Sequence, residues 1–213
     1  MDKNKYDIIR LKMERTANAL RKNNMICEIA ENTEEALEIV TDLLNDGDTV
    51  AVGGSQTLFE AGIIEMLRAG NYRFLDRYAP GLTREQLDDV HHSVFCADVF
   101  LTSSNAITEK GELYNVDGTG NRVAAMLYGP RSVIVITGFN KIVRDLDAAK
   151  TRVEEIAAPA NCVRLHMNTP CTELGKCANC NVDGRICADT VVIGRQRVKD
   201  RIKVVLVGEE LGY

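Results

Sequence analysis

The sequence contains no tryptophan, only four prolines and an aromatic fraction of 5%. This shortage of aromatic rings leaves little surface on which nucleic-acid bases can stack. An excess of positive charge is also lacking: 26 Lys and Arg residues stand against 31 Asp and Glu residues, a formal net charge of −5. Both shortages argue against nucleic acid or an anionic membrane surface as the main partner.

Long apolar runs are lacking as well. No stretch approaches the roughly 18 consecutive apolar residues of a membrane span. Residues 1–7 are polar and lack the apolar core of a signal peptide. Internal repeats, low-complexity tracts and linkers are not evident along the 213 residues. We therefore expect a single domain over residues 1–213, located in the cytoplasm and without a membrane partner.

Helical and strand patterns alternate along the chain. Residues 132–137 are apolar almost throughout, which is typical of a strand buried on both faces. A hairpin is expected over residues 106–116. The other expected strands include residues 25–30, 49–52, 97–102, 162–165 and 203–207. The expected helices include residues 3–23, 33–44, 57–69 and 146–157. The pattern predicts an α/β fold with a mostly parallel sheet flanked by helices.

The cysteines are numerous and unevenly spread. Their number is seven, and an odd count argues against a framework of disulfide bonds. Cys27, Cys96 and Cys162 lie in apolar stretches, which predicts buried, unreactive thiols. The other four lie in a segment at about residues 168–189 that is poor in apolar residues; they are Cys171, Cys177, Cys180 and Cys187.

This cysteine segment predicts a metal centre. The two-residue gap between Cys177 and Cys180 lets both thiolates reach one ion or cluster. Four unligated thiols would be a liability, because clustered exposed thiols oxidise readily. Zinc and iron–sulfur clusters both accept four thiolates, so the spacing alone does not separate them. We expect an iron–sulfur cluster of the [4Fe–4S] type, with zinc as the alternative.

A glycine-rich turn is the second motif. Gly53, Gly54 and Ser55 stand between an apolar strand and a helix. Backbone amides in such a turn, aided by the Ser55 hydroxyl, suit a phosphate or carboxylate. The P-loop lysine and the dinucleotide fingerprint are both lacking. The alternative is a tight strand–helix turn with no ligand.

Further candidates lie in the loops of the second half of the chain. Glu109 is a candidate general base or nucleophile, although it can equally be a hairpin-tip residue. Arg122 is a candidate clamp for a carboxylate or phosphate. Lys141 follows the clearest strand, at the end where α/β folds bind ligands. The other candidate anion-binding residues share the polar loop before Arg122; they are Asp117, Gly118, Gly120 and Asn121.

Taken in order, several runs resemble the lactate-utilisation (LUD) domain family; they are residues 52–58, 106–113, 118–122 and 133–136. The tail is similar to the subset in which a four-cysteine, iron–sulfur-type segment follows the LUD core. The resemblance implies a fold like that of the ribose-phosphate isomerase and CoA-transferase superfamily. It also implies a cleft at the carboxyl ends of the strands, lined by the glycine-rich turn, Glu109, Arg122 and the loop before it.

Three functions compete at this point. The first, which we expect, is an iron–sulfur protein linked to oxidation or utilisation of a small hydroxy acid such as lactate. Its partners would be an anionic small molecule and a redox protein. The second is a non-redox isomerase or transferase for a sugar phosphate or CoA thioester, with Glu109 as base or nucleophile and a structural cysteine site. The third is an assembly module that docks through the cysteine segment.

Overall fold

The computed structural model of the protein describes residues 2–213. Within this range strands alternate with helices. The strands are β1 (Ile26–Ala30), β2 (Thr49–Val52), β3 (Arg73–Leu75), β4 (Val99–Thr102), β5 (Ala106–Thr108), β6 (Leu113–Asp117), β7 (Ser132–Gly138), β8 (Ile142–Val143), β9 (Asp189–Ile193) and β10 (Ile202–Val207). The helices are α1 (Lys3–Lys22), α2 (Thr33–Asp42), α3 (Gln56–Glu60), α4 (Ile63–Ala69), α5 (Arg84–Ser93), α6 (Asn121–Leu127), α7 (Leu146–Arg152), α8 (Ala158–Arg164) and α9 (Cys171–Leu174).

Six strands form a parallel sheet in the order β1-β10-β7-β4-β2-β3. The predicted α/β fold with a mostly parallel sheet is therefore confirmed. Successive residues of β7 alternate between two apolar clusters: Val133 and Val135 face one, and Ile134 and Ile136 face the other. Burial on both faces explains why this strand is apolar almost throughout.

Helices cover the two faces of this sheet. On one face, α1 buries Met13, Ala17 and Leu20 against the strands. On the other, α2 buries Ala36 and Val40. No helix among residues 2–213 combines the length and the apolar character needed to cross a membrane.

Side-chain caps precede the first residues of two helices. At α2, the Asn32 side chain accepts a hydrogen bond from the backbone N–H of Glu35 at 2.9 Å. At α5, Thr83 and Gln86 bond each other's backbone N–H groups in a reciprocal capping box. These side chains satisfy N–H groups that the first turn of a helix leaves without partners.

A smaller sheet, in the order β8-β5-β6-β9, packs beside the first. Strands β5 and β6 form the predicted antiparallel hairpin. Strand β9 pairs antiparallel with β6 and was not predicted, because its residues are mostly exposed and lack a clear apolar alternation. This pairing anchors the end of the cysteine segment to the sheet.

Several local predictions were wrong. The expected strand at residues 162–165 lies instead in and just after α8, which continues α7 through a π-helical turn at Val153–Ala157. The expected helix at residues 57–69 is divided by Gly62, whose φ of 68° ends the first piece. Cys27 and Cys162 are buried as expected, but Cys96 is exposed.

Candidate functional site

The carboxyl ends of β2, β4 and β7 lie side by side, and a cavity of about 90 Å³ opens beside them. Loops after these strands, the end of β6 and helix α8 form its walls. Its lining includes Gly54, Ser55, Ser103, Asn105, Asp117, Arg122, Lys141, Asn161, Arg164 and Tyr213. We call this space the Lys141 cavity. At roughly 10–15 Å³ per water molecule, it has room for about six to nine waters, or for an organic acid of about that many non-hydrogen atoms.

Lys141 is the most unusual residue of the cavity because it is 3% exposed and its amine hydrogen-bonds to hydroxyl groups rather than to a carboxylate. Its Nζ donates to Thr57 Oγ1 at 2.8 Å and to Ser103 Oγ at 3.2 Å. Burial, reinforced by the guanidiniums of Arg152 and Arg122, lowers the pKa of Lys141 from 10.5 to about 7. Amine and ammonium forms therefore coexist near neutral pH.

The segment before Tyr213 closes the cavity over Lys141. A Cβ atom at Gly212 would lie 2.7 Å from Thr57 Oγ1 and 3.2 Å from Lys141 Nζ. Gly212 also has a φ of 54°, so the position is suited to glycine on both counts. The Asn140 side chain fixes this segment by donating to the Gly212 carbonyl at 3.1 Å.

Arg122 is 8% exposed, and all five of its guanidinium N–H groups point at protein oxygens. The acceptors, at 2.7–3.0 Å, are Asp117, Ser103, Asn115, Asn105 and Val116. The side chain thus ties the ends of β4 and β6 together beneath the cavity. This arrangement commits the guanidinium to the protein, and a clamp on a ligand stays a prediction for Arg122.

The first glycine of the glycine-rich turn makes room for that network. A Cβ atom at Gly53 would lie 2.8 Å from Thr102 Oγ1 and 3.0 Å from Arg122 Cγ. Larger residues would therefore push the arginine stem away from β2. Gly54 and Ser55, by contrast, line the cavity itself.

The loop before α6 positions the helix. Asp117 accepts hydrogen bonds from the backbone N–H of Arg122 at 3.1 Å and of Val123 at 3.2 Å. Gly120, at a φ of 73°, precedes the first residue of the helix, Asn121. Together with Gly118, these residues form the turn between β6 and α6; of the predicted loop residues, Asp117 reaches the cavity lining.

Arg164 contributes a positive charge that the sequence analysis missed. Its Nε donates to Tyr213 Oη at 2.6 Å, and its Nη2 donates to Asn161 Oδ1 at 2.7 Å. The error followed from assigning residues 162–165 to a strand. In a helix, Asn161 and Arg164 are three positions apart and share a face, and that spacing was the signal that could have found them.

The structure places Glu109 elsewhere. It lies at the tip of the β5–β6 hairpin, where its carboxylate forms an ion pair with Arg15 of α1 at 3.0 Å. Its side chain is 29% exposed. The structure does not bring Glu109 to the lining of the Lys141 cavity, and its catalytic role stays a prediction.

The cysteine segment packs against the α7–α8 helix. The backbone N–H of Cys177 donates to the Glu154 carbonyl at 2.8 Å, within the π-helical turn. Cys171 is buried at the start of α9, with its sulfur 3.2 Å from Thr169 Oγ1. Cys162 is a close neighbour of both Thr169 and Cys171, and burial raises the pKa of its thiol to about 11.

Two of the candidate ligands face a second cavity of about 280 Å³, the cysteine cavity. Its lining includes Cys177 and Cys187. A small space between the two cavities is lined by Asn105, Asn161 and Cys187, among others. Asn105 and Asn161, which line both spaces, therefore separate Cys187 from the Lys141 cavity.

The cysteine segment supplies suitable ligand atoms for a metal centre, but the positions of those atoms do not form one. Four thiols on one short segment are the donors that zinc and iron–sulfur clusters use, and all seven cysteines are free. The backbone N–H of Asn179 donates to Cys177 Sγ at 3.3 Å. However, within residues 2–213 no three His, Cys, Asp or Glu side chains are arranged to hold a metal ion.

The chain is similar to a protein family and to several solved structures. The model of the LUD domain family matches residues 13–207. The crystal structure of a DUF162 family protein from Deinococcus radiodurans has a TM-score of 0.51 and 14% identity, covering 93% of this chain and 97% of that one. Crystal structures of eIF2B beta and eIF2B delta from Chaetomium thermophilum have TM-scores of 0.37 and 0.36 at 15% and 20% identity. They cover 53% and 55% of this chain, and 43% and 50% of their own chains. No curated protein matches this chain.

Proposed function

Because the chain belongs to the LUD domain family, whose name links it to lactate utilisation, we propose that the Lys141 cavity binds a small 2-hydroxy acid such as lactate for oxidation. One observation carries this proposal. The buried Lys141 lines the cavity and hydrogen-bonds to two hydroxyl groups. A buried cation without a counter-ion is unfavourable, and an anionic ligand supplies the missing charge.

The dimensions and the polar groups of the cavity support a three-carbon acid. Lactate has about six non-hydrogen atoms, which lies within the room for about six to nine that 90 Å³ provides. Lys141 and Arg164 offer positive charge to the carboxylate. The side-chain amides of Asn105 and Asn161 offer partners for the hydroxyl. A CoA thioester is much larger than this cavity and would have to extend from it into solvent.

Lactate binding is the first test. We expect L-lactate to bind the wild-type protein and Lys141→Met to weaken binding roughly 10- to 100-fold, as the loss of a charged hydrogen bond predicts. Isothermal titration calorimetry measures both. Lys199→Met, at an exposed position, is the matched control and should bind like the wild type. Equal affinity in the Lys141 variant, or no binding of any small hydroxy acid, would contradict the proposal.

The same titration has an expected pH dependence. The ammonium form of Lys141 attracts the carboxylate, and its pKa is lowered to about 7. Affinity should therefore be fully present below pH 7 and decline above it, by roughly tenfold between pH 6 and pH 8. The Lys141→Met variant should lack this decline.

We also propose that Cys171, Cys177, Cys180 and Cys187 hold an iron–sulfur cluster, with zinc as the alternative. The clustered thiols support this, as does the N–H group donated to the Cys177 sulfur, a contact of the kind that tunes such clusters. A bound cluster would accept electrons singly, so the two electrons released by a 2-hydroxy acid would pass through it in turn to a redox protein partner. Free thiols suit a reducing compartment, which supports our proposal of a cytoplasmic location.

Metal analysis of protein purified without oxygen tests this second proposal. We expect about four irons and four sulfides per chain, with broad absorption near 400 nm that is lost in air. Cys177→Ser should lower the iron content, whereas Cys96→Ser, at an exposed cysteine outside the segment, should not. Zinc without colour would make the site structural. A folded protein with neither metal would end the proposal.

A further inference from the structure

We propose that Lys141 is also a nucleophile, whose amine condenses with the carbonyl group of a small 2-oxo acid, such as pyruvate, to form a protonated Schiff base. This inference rests on the proposed function, because a 2-oxo acid is the oxidised form of a 2-hydroxy acid and presents the same carboxylate to the cavity. It adds a covalent step to a residue that the proposed function uses only for binding.

The hydrogen bonds of Lys141 suit the neutral amine. A neutral amine has two N–H groups and one lone pair. Thr57 Oγ1 and Ser103 Oγ accept two N–H groups, at 2.8 and 3.2 Å. The Thr57 hydroxyl directs its own hydrogen to the Leu211 carbonyl at 3.4 Å, so its lone pairs remain free to accept from Lys141. One tetrahedral position at Nζ is left for the lone pair, and Lys141 lines the cavity.

The charged groups around Lys141 also favour the nucleophilic form. Arg152 and Arg122 are the neighbouring cations, and the one carboxylate that opposes them is Glu60, which accepts a backbone hydrogen bond from Gly212 at 2.6 Å. With a pKa of about 7, roughly half of the molecules carry the neutral amine at pH 7. Desolvation next to another cation is a known route to a reactive lysine.

A second cation can hold the ligand while Lys141 is neutral. Arg164 lines the same cavity and stays charged at any ordinary pH. Its contacts with Asn161 and Tyr213 fix the guanidinium at the wall. The carboxylate of a 2-oxo acid can pair with Arg164, which leaves the adjacent carbonyl carbon for the amine.

The reaction balances without an oxidant. The Lys141 nitrogen forms a bond to the carbonyl carbon, and one amine proton moves to the carbonyl oxygen, giving a carbinolamine. The carbon–oxygen bond then breaks as a second proton arrives from solvent, and water leaves. The nitrogen keeps its other hydrogen and the positive charge of the iminium.

Reductive trapping tests the inference. Wild-type protein is incubated with pyruvate and sodium cyanoborohydride, which reduces an iminium to a stable amine, and its intact mass is measured. We expect one adduct per chain with the mass of pyruvic acid less one oxygen atom, located at Lys141 by peptide mapping. Lys141→Arg should lose the adduct, and Lys199→Met should keep it. Lactate, which has no keto group to condense, should give none.

The outcomes separate this inference from the proposed function. Lactate binding without a pyruvate adduct would overturn the Schiff base alone. The loss of both would overturn both. Adducts spread over surface lysines, or an adduct retained in Lys141→Arg, would also overturn the Schiff base at Lys141. Because the peptide map of the wild type identifies the modified lysine directly, the result does not depend on the folding of a variant.

Discussion

Replacing Lys141 with methionine is expected to stabilise the folded protein at neutral pH by roughly 3 kcal/mol. The pKa of this lysine is about 7 in the folded protein, against 10.5 for an ordinary lysine. At about 1.4 kcal/mol per unit of pKa shift, burial of the charged lysine lowers the free energy of unfolding by ~5 kcal/mol below pH 7. The variant loses the hydrogen bonds to Thr57 and Ser103, which offsets about 1–2 kcal/mol of the gain.

The pH dependence of this gain has a definite sign. Between pH 7 and pH 10.5 the unfolded chain binds more protons at this lysine than the folded protein does. The free energy of unfolding of the wild type therefore rises with pH across that window. Lys141→Met lacks this rise, so its advantage shrinks as the pH increases.

Urea denaturation of both proteins from pH 6 to pH 9 measures the effect, with Lys199→Met as the surface control. A wild type more stable than the variant at pH 7, or a difference that does not change with pH, would contradict the buried, uncompensated lysine. A stabilised variant that no longer binds lactate would identify Lys141 as a residue that serves function at the expense of stability.

Replacing Arg122 with alanine is expected to destabilise the fold by about 3–5 kcal/mol, because the largely buried Asp117 carboxylate loses its charged partner and keeps only two backbone N–H donors. The Arg122–Asp117 ion pair spans 3.0 Å, with side chains 8% and 12% exposed. The same change removes four further hydrogen bonds to the ends of β4 and β6. The substitution thus also removes the contacts that hold the ends of β4 and β6 together beneath the Lys141 cavity.

An exposed pair in the same protein provides the control. Arg131 lies 4.0 Å from Asp98 and is 88% exposed. Exposed pairs contribute about 0–1 kcal/mol, so Arg131→Ala should change the free energy of unfolding by less than about 0.5 kcal/mol. Guanidinium denaturation compares the two variants. A loss below about 1 kcal/mol for Arg122→Ala would show that the network does not support the fold.

The main sheet could be predicted from the sequence because its strands are buried on both faces. Residues 132–137 are apolar almost throughout, as a strand buried on both faces requires. The Asn32 and Thr83 caps are local signals that mark helix starts directly. Strand β9 could not be predicted in this way. It is held by pairing with β6, a long-range contact that leaves little trace in the pattern of its own exposed residues.

The site was harder to predict than the fold. Lys141 could be suspected from its position after β7, but its burial depends on Thr57, Ser103 and Gly212, which come from distant parts of the chain. Arg122 has the residue type and spacing of an anion clamp, and only three-dimensional contacts reveal how many protein acceptors surround it. Sequence identifies chemical groups, while packing decides whether those groups are free to meet a ligand.

The wall between the two cavities has a thermodynamic consequence. Asn105, Val116, Ala157 and Asn161 line both the Lys141 cavity and the small space that reaches Cys187. A ligand in the Lys141 cavity that moves these residues also changes the surroundings of Cys187. By reciprocity, the factor by which bound acid changes metal affinity equals the factor by which bound metal changes acid affinity. Lactate titrations of metal-loaded and metal-free protein would therefore measure the coupling between the cysteine site and the acid site from binding affinities alone. They require no measurement of electron transfer.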